Sequence, residues 1–501
     1  MRKIYLPLLL MLSGCCPPVK EKVPECHFHT QWKHKQTPTV EQQAPAAWWE
    51  IFEDGQLNSL VVLALQNSPT LTSALSRVEE AIYLADSAWA DQFPTMAANG
   101  DGARRRIAKD RRTVCPTATG KFYQQDPTTA TTQDPLSLTT LPPPVVMLPE
   151  MKEVRSPKFY SDLLATLVVR YELDIWGKRY LSQKAAYKRA EASAADFQSA
   201  RLILIDQVAS TYFSFQSESQ ELQILEEELK ILQESLLLFD SEYRAGLTDK
   251  SALLTREALL NSKQIEKEAL VKSQQTHLHL LAVLIGVEPC QLSLETIAPN
   301  WAFPIVPAGL PSSLLIQRPD IRQSYKELEA MLAEIGIAKT ELLPSISLIA
   351  GGGYNADKDS RLFKWKNRIW DLSASFKWLL FDMGSRRAQV RATQARFNSL
   401  AANFIDQVLT SVKEVEDALV AVKTQQQRQR SAENKEKAFT SISQINTAQF
   451  NSGLVDYRQT LSAREEQLRA ERESLRESTL LQLSALALIK SLGGTWQGQA
   501  D

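Results

Sequence analysis

The chain has 501 residues, 44% of them hydrophobic and 23% charged, a composition that supports a large packed core and excludes a disordered polypeptide. Lys and Arg total 57 against 58 for Asp and Glu, which leaves no cationic excess to hold a phosphate backbone and excludes nucleic acid as a partner. Length alone allows about two to four domains.

Met1-Arg2-Lys3, the apolar run Ile4 to Leu12, and Ser13-Gly14-Cys15 read as a signal peptide over residues 1–14. Leu12-Ser13-Gly14-Cys15 is similar to the lipobox of bacterial lipoproteins, which implies cleavage before Cys15 and attachment of diacylglycerol and an acyl chain such as palmitate to that residue. Cys16, where an inner-membrane lipoprotein often carries Asp, favours the outer membrane. Residues 15–46 are rich in Pro, Lys and Gln and read as a tether, so Cys26, His27, His29 and His34 within them are not taken as a metal site. Cys16, Cys26, Cys115 and Cys290 allow three disulfide pairings, and the sequence does not choose among them. No later run is long and apolar enough to cross a bilayer as a helix. Any crossing must be made by strands.

Laying the chain on itself reveals a repeat. Gly177 and Gly384, Gly246 and Gly453, and Gly286 and Gly493 are each 207 positions apart. Upstream, Pro69 and Pro319, and Phe93-Pro94 and Leu343-Pro344, are 250 apart. The first copy therefore holds 43 extra residues between Pro94 and Trp176, the difference between the two offsets. That tract is rich in Thr and Pro and reads as a long loop. The first repeat spans 47–308 and the second 309–496, with a tail at 497–501. Gly309 and Pro311 close the first copy. Pro319 is placed to open a helix, where its missing amide hydrogen costs nothing and Asp320 meets the positive end of the helix dipole.

In each copy a helix of about 24 residues, Pro69 to near Phe93 or Pro319 to near Leu343, is stopped by proline. Two strands follow, at about 94–104 and 161–173 in the first copy and 344–354 and 370–381 in the second. Leu163, Ala165, Leu167, Val169, Tyr171 and Leu173 alternate with mostly polar neighbours, as do Leu372, Ala374, Phe376, Trp378 and Leu380. Met96 and Ala98 match Ile346 and Leu348. Strands of about ten residues suit a bilayer, and Tyr171, Trp176, Trp370 and Trp378 resemble an interfacial girdle. Next come helices of about 67 residues, near 100 Å long, from Gly177 to about Tyr243 and Gly384 to about Phe450. Leu222, Leu225, Leu229, Leu232, Leu236, Phe239 and Tyr243 form a coiled-coil seam on the first. After turns at Gly246 and Gly453, return helices of about 38 residues run to Leu284 and Leu492. Short and return helices together nearly equal the long one and could stack end to end. Four strands cannot close a membrane barrel alone, so chains must pool them: two chains give eight, three give twelve and a lumen.

Nothing resembles a nucleophile elbow, a zinc-protease helix or a phosphate-binding loop; Gly351-Gly352-Gly353 reads as a strand end. His277 and His279 lack carboxylate or cysteine partners at ligand spacing in the sequence. An enzyme is not expected, nor is a cofactor or a metal.

The motifs AWWEIFEDGQLNSLVVLALQNSPTL (Ala47 to Leu71), YELDIWGKR (Tyr171 to Arg179), LAVLIGVEP (Leu281 to Pro289), GLPSSLLIQRPDI, FDMGSRRAQV (Phe381 to Val390), FNSGLVDY (Phe450 to Tyr457) and IKSLGGTW (Ile489 to Trp496) occur in order. With them the chain resembles the TolC-like outer-membrane factor family, in its NodT-type lipoprotein subset serving resistance-nodulation-division pumps. The resemblance implies a mainly α fold with a transmembrane β-barrel portion, built as a homotrimer with a twelve-stranded barrel on an α-helical tunnel. It implies a passive exit duct for small molecules, partnered by a periplasmic adaptor, an inner-membrane pump and outer-membrane lipid. It places adaptor-docking tips at Gly246, Leu247, Thr248, Gly453, Leu454 and Val455, and a periplasmic gate just past the second tip. Related channels often carry a Leu and, four residues on, an acid at the gate; here Arg458 and Ser462 stand there, so the candidates are Asp456, Tyr457, Arg458 and Ser462. Trp378-Leu379-Leu380 also departs from the usual proline before Phe-Asp. An exit duct for type I protein secretion and a non-channel coiled-coil lipoprotein are the alternatives.

Overall fold

The computed structural model describes residues 19, 21–24, 47–106, 159–295 and 318–494. Cys15 and the signal peptide, Cys16, Cys26, Cys115, the Thr/Pro-rich insertion and the tail lie outside them. In chain order the elements are a 3-10 turn (Trp48–Phe52), α1 (Gly55–Asn67), α2 (Pro69–Ala90), β1 (Thr95–Arg106), β2 (Phe159–Leu173), α3 (Lys178–Arg244), α4 (Lys250–Ile285), α5 (Pro319–Thr340), β3 (Ser345–Ala356), β4 (Arg368–Lys377), α6 (Ser385–Asn451) and α7 (Tyr457–Ser491). Three pairs of elements reproduce the repeat to the residue: α3 and α6 begin and end 207 apart, α2 and α5, and β1 and β3, 250 apart. Two compact units form, one from described residues of Ser87–Ser182 and Gly336–Val390, the other from those of Val19–Asp86, Gln183–Ile335 and Arg391–Asp501.

In the second unit α1 was not foreseen. Its signals are local: Asp54 caps it by accepting from the Gln56 and Leu57 amides at 2.9 and 3.0 Å, and Leu57, Leu60, Val61 and Ala64 form one buried stripe. The stripe joins Trp48, Trp49, Phe52, Val208, Tyr212, Phe213, Leu281 and Ile285 in the larger core. A second core joins Ile321, Leu328 and Ile335 to Phe397, Phe404, Val415 and Leu419. Val19 and Val23 of the expected tether pack against it, and Gln394 donates to Glu21 at 2.6 Å, so this piece is bound rather than free. On the seam, Leu225, Leu229 and Leu232 are buried, whereas Tyr243 near the turn is exposed.

The return helices, 36 and 35 residues, are slightly shorter than expected, as are the 22-residue α2 and α5. End-to-end stacking holds. Gly286, φ +80°, ends α4 so close to the start of α2 that a Cβ there would lie 2.5 Å from the Asn67 carbonyl oxygen and 3.3 Å from Pro69 Cδ. Gly493, φ +83°, repeats the junction against Arg318 and Pro319. At the second junction Arg318 is buried. It donates through Nε and Nη2 to Asp320 at 3.1 and 2.8 Å, to the Ser491 carbonyl at 2.8 Å and to Glu414 at 2.9 Å. Burial pushes the Asp320 carboxyl up, but the Arg318 guanidinium outweighs it and holds the group below its usual range.

In the first unit four antiparallel strands form one open sheet in the order β1-β2-β3-β4. The pairs Met96↔Val169, Tyr171↔Leu348 and Leu348↔Ala374 put the expected apolar sets of all four strands on one face. The other face mixes Asp101, Asp162, Thr166, Arg170, Glu172, Ser373 and Lys377. Gly351-Gly352-Gly353 is strand interior rather than strand end, and Gly353 sits where a Cβ would fall 2.0 Å from the Ala165 carbonyl. β4 stops at Lys377, not 381, because its last pair is Ser345↔Lys377 and Pro344 next to it has no amide hydrogen to extend the ladder. Trp378 and Leu380 therefore leave the strand, and Trp378 Nε1 donates to the Leu342 carbonyl at 3.4 Å.

Gly286→Ala should lower the thermal midpoint of the detergent-solubilised protein more than Gly246→Ala does. Both residues have positive φ, which costs a side-chain-bearing residue about 1–2 kcal/mol, but a Cβ at Gly246 meets nothing within 4 Å. Equal midpoints would show that the α4–α2 junction can open without loss.

Candidate functional site

Two helix-turn-helix tips in the second unit carry the residues singled out above, and they are built alike. In the first, Leu247 N–H donates to the Glu242 carbonyl at 2.8 Å and Gly246 N–H to the Tyr243 carbonyl at 3.0 Å, closing α3 around a glycine with φ +73°. In the second, Leu454 N–H donates to Gln449 at 2.9 Å and Gly453 N–H to Phe450 at 2.8 Å, with φ +72°. The chain then restarts on an aspartate cap: Asp249 accepts from the Ala252 amide at 2.8 Å, Asp456 from the Gln459 amide at 2.9 Å. Thr248 and Val455 are half-buried between turn and cap. Leu247 and Leu454, 79% and 75% exposed, stand out at the two turns.

The gate candidates divide. Asp456 is spent on capping α7 and on Arg458, 3.5 Å from its Nη2. Tyr457 packs on Phe450, with ring centroids 5.1 Å apart, and its hydroxyl donates to Glu234 of α3 at 3.2 Å. Burial, and then the Glu234 charge, raise the phenol above its ordinary range. Arg458 reaches the same helix, with Nη1 3.5 Å from Glu242 Oε2 and its guanidinium 5.8 Å from the Phe239 ring centroid. Glu242 Oε2 is buried without a hydrogen bond, so this contact is a loose ion pair. Ser462 is exposed on α7. Tyr457 and Arg458 thus tie the second tip to the first within one chain.

Farther from the turns lies a feature that the sequence reading missed. Arg472 of α7 is buried and donates to Glu228 at 2.9 Å, to Glu221 at 3.0 Å and to Glu266. Lys263 of α4 bridges Glu228 at 3.2 Å and Glu266 at 2.9 Å, and Arg476 joins Glu221. Glu228 lies 18 residues before Gly246, roughly 27 Å along α3. Three helices are pinned in register by this cluster, since losing one partner would strand an opposite charge out of water. Burial pushes Glu266 up, but Arg472 and Lys263 outweigh it and hold the carboxyl at about 2. Its faint signature is charge at interior positions: Glu221 and Glu228 interleave with Leu222, Leu225 and Leu229, and Arg472 and Arg476 are one turn apart.

His277 does have a carboxylate partner, correcting the sequence reading. Glu218, from α3, places Oε2 2.7 Å from its Nδ1, and the same carboxylate accepts from Ser273 at 2.6 Å. Among the described residues no group of three or more His, Cys, Asp or Glu could hold a metal ion. Cys290 is a free, exposed thiol. Among the described residues no helix is long and apolar enough to cross a membrane.

The model of the outer membrane efflux protein family matches residues 60–287 and 310–494. The solvent efflux pump outer membrane protein SrpC of Pseudomonas putida is 27% identical over 500 residues, covering 97% of both chains. The fold is shared with the solved outer-membrane channel OprN (TM-score 0.77, 24% identity, 97% of this chain and 100% of that one). It is shared too with the CmeC outer membrane channel of Campylobacter jejuni (TM-score 0.79, 22% identity, 96% and 95%).

Glu266 has a folded pKa near 2 against an ordinary 4.5, so the stability it contributes is complete above 4.5 and is lost as pH falls towards 2. The thermal midpoint should drop across that window, and Glu266→Gln should flatten the drop. The same slope in both proteins would remove Glu266 from the acid response.

Proposed function

Since this chain belongs to the outer membrane efflux protein family, we propose that three copies close one channel that serves as the passive exit duct of a tripartite efflux pump for small molecules. The open sheet carries this reading. It has one apolar face fit for lipid, one mixed polar face fit for water, and two edges, β1 and β4. In hydrocarbon each unpaired backbone group costs several kcal/mol, so β4 of one copy must pair with β1 of the next until the ring closes. Two copies would give eight strands and a filled interior, whereas three give twelve and a lumen. The helices of the three copies form the periplasmic tunnel.

The exposed Leu247 and Leu454 at the turns suit docking by the hairpins of a periplasmic adaptor, which connects the duct to an inner-membrane pump. Arg458 and Glu242 form the closing latch. Arg458 stays exposed while Glu242 is half-buried, and a loose, partly exposed pair is worth on the order of 1 kcal/mol, weak enough to yield to an adaptor that prefers the open form. Lipid attached to Cys15 anchors the mature chain in the outer membrane.

The purified protein should show a trimer mass and pass current across a planar bilayer. Arg458→Ser should raise the resting conductance by loosening each tip, and current identical to wild type at low and high salt would exclude the latch. Cys15→Ser should abolish palmitate labelling; labelling that persists would remove the anchor.

A further inference from the structure

Charge is distributed unevenly on the apolar face of the sheet. Each strand joins its helix at the same end: α2 leads into β1, β2 into α3, α5 into β3 and β4 into α6. At that end the face carries Met96, Leu173, Ile346 and Phe376, all uncharged. At the loop end it carries Arg104, Arg106 and Arg368, the face's three charged residues, all of one sign. The loop leading into β4 adds exposed Lys364 and Lys366. Among the described residues no ion pair involves these five; in the same loop Arg361 lies 4.0 Å from Asp357.

Aromatic rings accompany the cations. The Arg368 guanidinium sits 4.2 Å from the Trp365 ring centroid and that of Arg106 5.6 Å from Phe159. Trp365 and Trp370 are exposed, 72% and 77%. A surface that is apolar along the strands, aromatic at its margin and cationic beyond matches a lipid with acyl chains below and an anionic headgroup above. The polar face of the sheet, where acids and bases mix, offers no such gradient.

We propose that this rim binds the phosphate groups of outer-leaflet lipid, so that the barrel holds a shell of phosphorylated glycolipid at the cell surface. The proposal rests on the duct reading above, which puts the loop end outside and the helices in the periplasm. Each cation near an anionic surface strengthens binding by roughly fivefold, so the five together are worth roughly 3,000-fold and any three of them roughly 100-fold.

The test titrates the full-length protein, in neutral detergent at low ionic strength, with lipid A carrying its phosphates and with dephosphorylated lipid A. Bound lipids per protomer are counted by native mass spectrometry. Phosphorylated lipid A should bind roughly 3,000-fold more tightly than the dephosphorylated form. Neutralising Lys364→Gln, Lys366→Gln and Arg368→Gln together should cut that preference roughly 100-fold, while Lys377→Gln, at the helix end, should leave it intact. A persistent trimer mass shows that the triple variant has folded. Equal retention of both lipids, a preference undiminished in the triple variant, or displacement by inorganic phosphate at matching concentration would overturn the proposal. Conductance on the same wild-type preparation separates the two readings: a conducting channel without lipid preference sinks the rim alone, and no conductance sinks the duct.

Discussion

A strand edge in hydrocarbon has nowhere to place its amide hydrogens and carbonyls, and this constraint organises the molecule. The described residues supply four strands with β1 and β4 at the edges, and in the proposed duct another copy completes that sheet. The same constraint accounts for details within it. Gly353 allows β2 and β3 to approach where any side chain would strike the Ala165 carbonyl, and Pro344 sets where the β3–β4 ladder must end. Apolar residues then fall on one face and polar residues on the other because the register admits no slip without exchanging them.

The helical part obeys a different economy. Its helices are too long and too polar for leucine seams alone, with low hydrophobicity along α3 and α6, and its specificity comes from ions placed where water is scarce. Arg472 with Glu221, Glu228 and Glu266 pins three helices, and Arg318 pins the start of α5 to the end of α7. Such groups add little net stability over an apolar core, but they penalise every alternative register in which a partner is missing. A tall, narrow bundle needs that penalty, since a slide by one turn would leave its apolar contacts almost unchanged.

Much of this was legible in the residues, for stated reasons. Glycine at positive φ and proline at a helix start have no substitutes that act alike, so Gly246, Gly286, Pro69 and their counterparts fixed helix ends to within a few positions. Period-two alternation identified both faces of the sheet. Contacts between distant segments were not legible: Glu218 beside His277 is 59 residues away, and Arg472 meets Glu228 across 244. Of the candidate gate residues, the chain neighbours of Gly453 could be named from spacing and Asp456 sits where a local cap belongs, but that Tyr457 and Arg458 turn towards α3 needed the packing of two repeats. The overlooked α1 had its cap and stripe in plain view; the positions 250 later, 305–317, lie outside the described residues.

The two tips are copies in backbone but not in bonding. Tyr457 and Arg458 reach Glu234 and Glu242, while the positions 207 earlier and later hold Lys250, Ser251, Ser441 and Gln449, with no acid among them. The duplication has thus kept its scaffold and divided its labour, one copy grasping and the other being grasped. Inherited variation is filtered accordingly: the grasping tip and its two acids must drift together, whereas the mirror-image positions are released from that partnership and free to diverge.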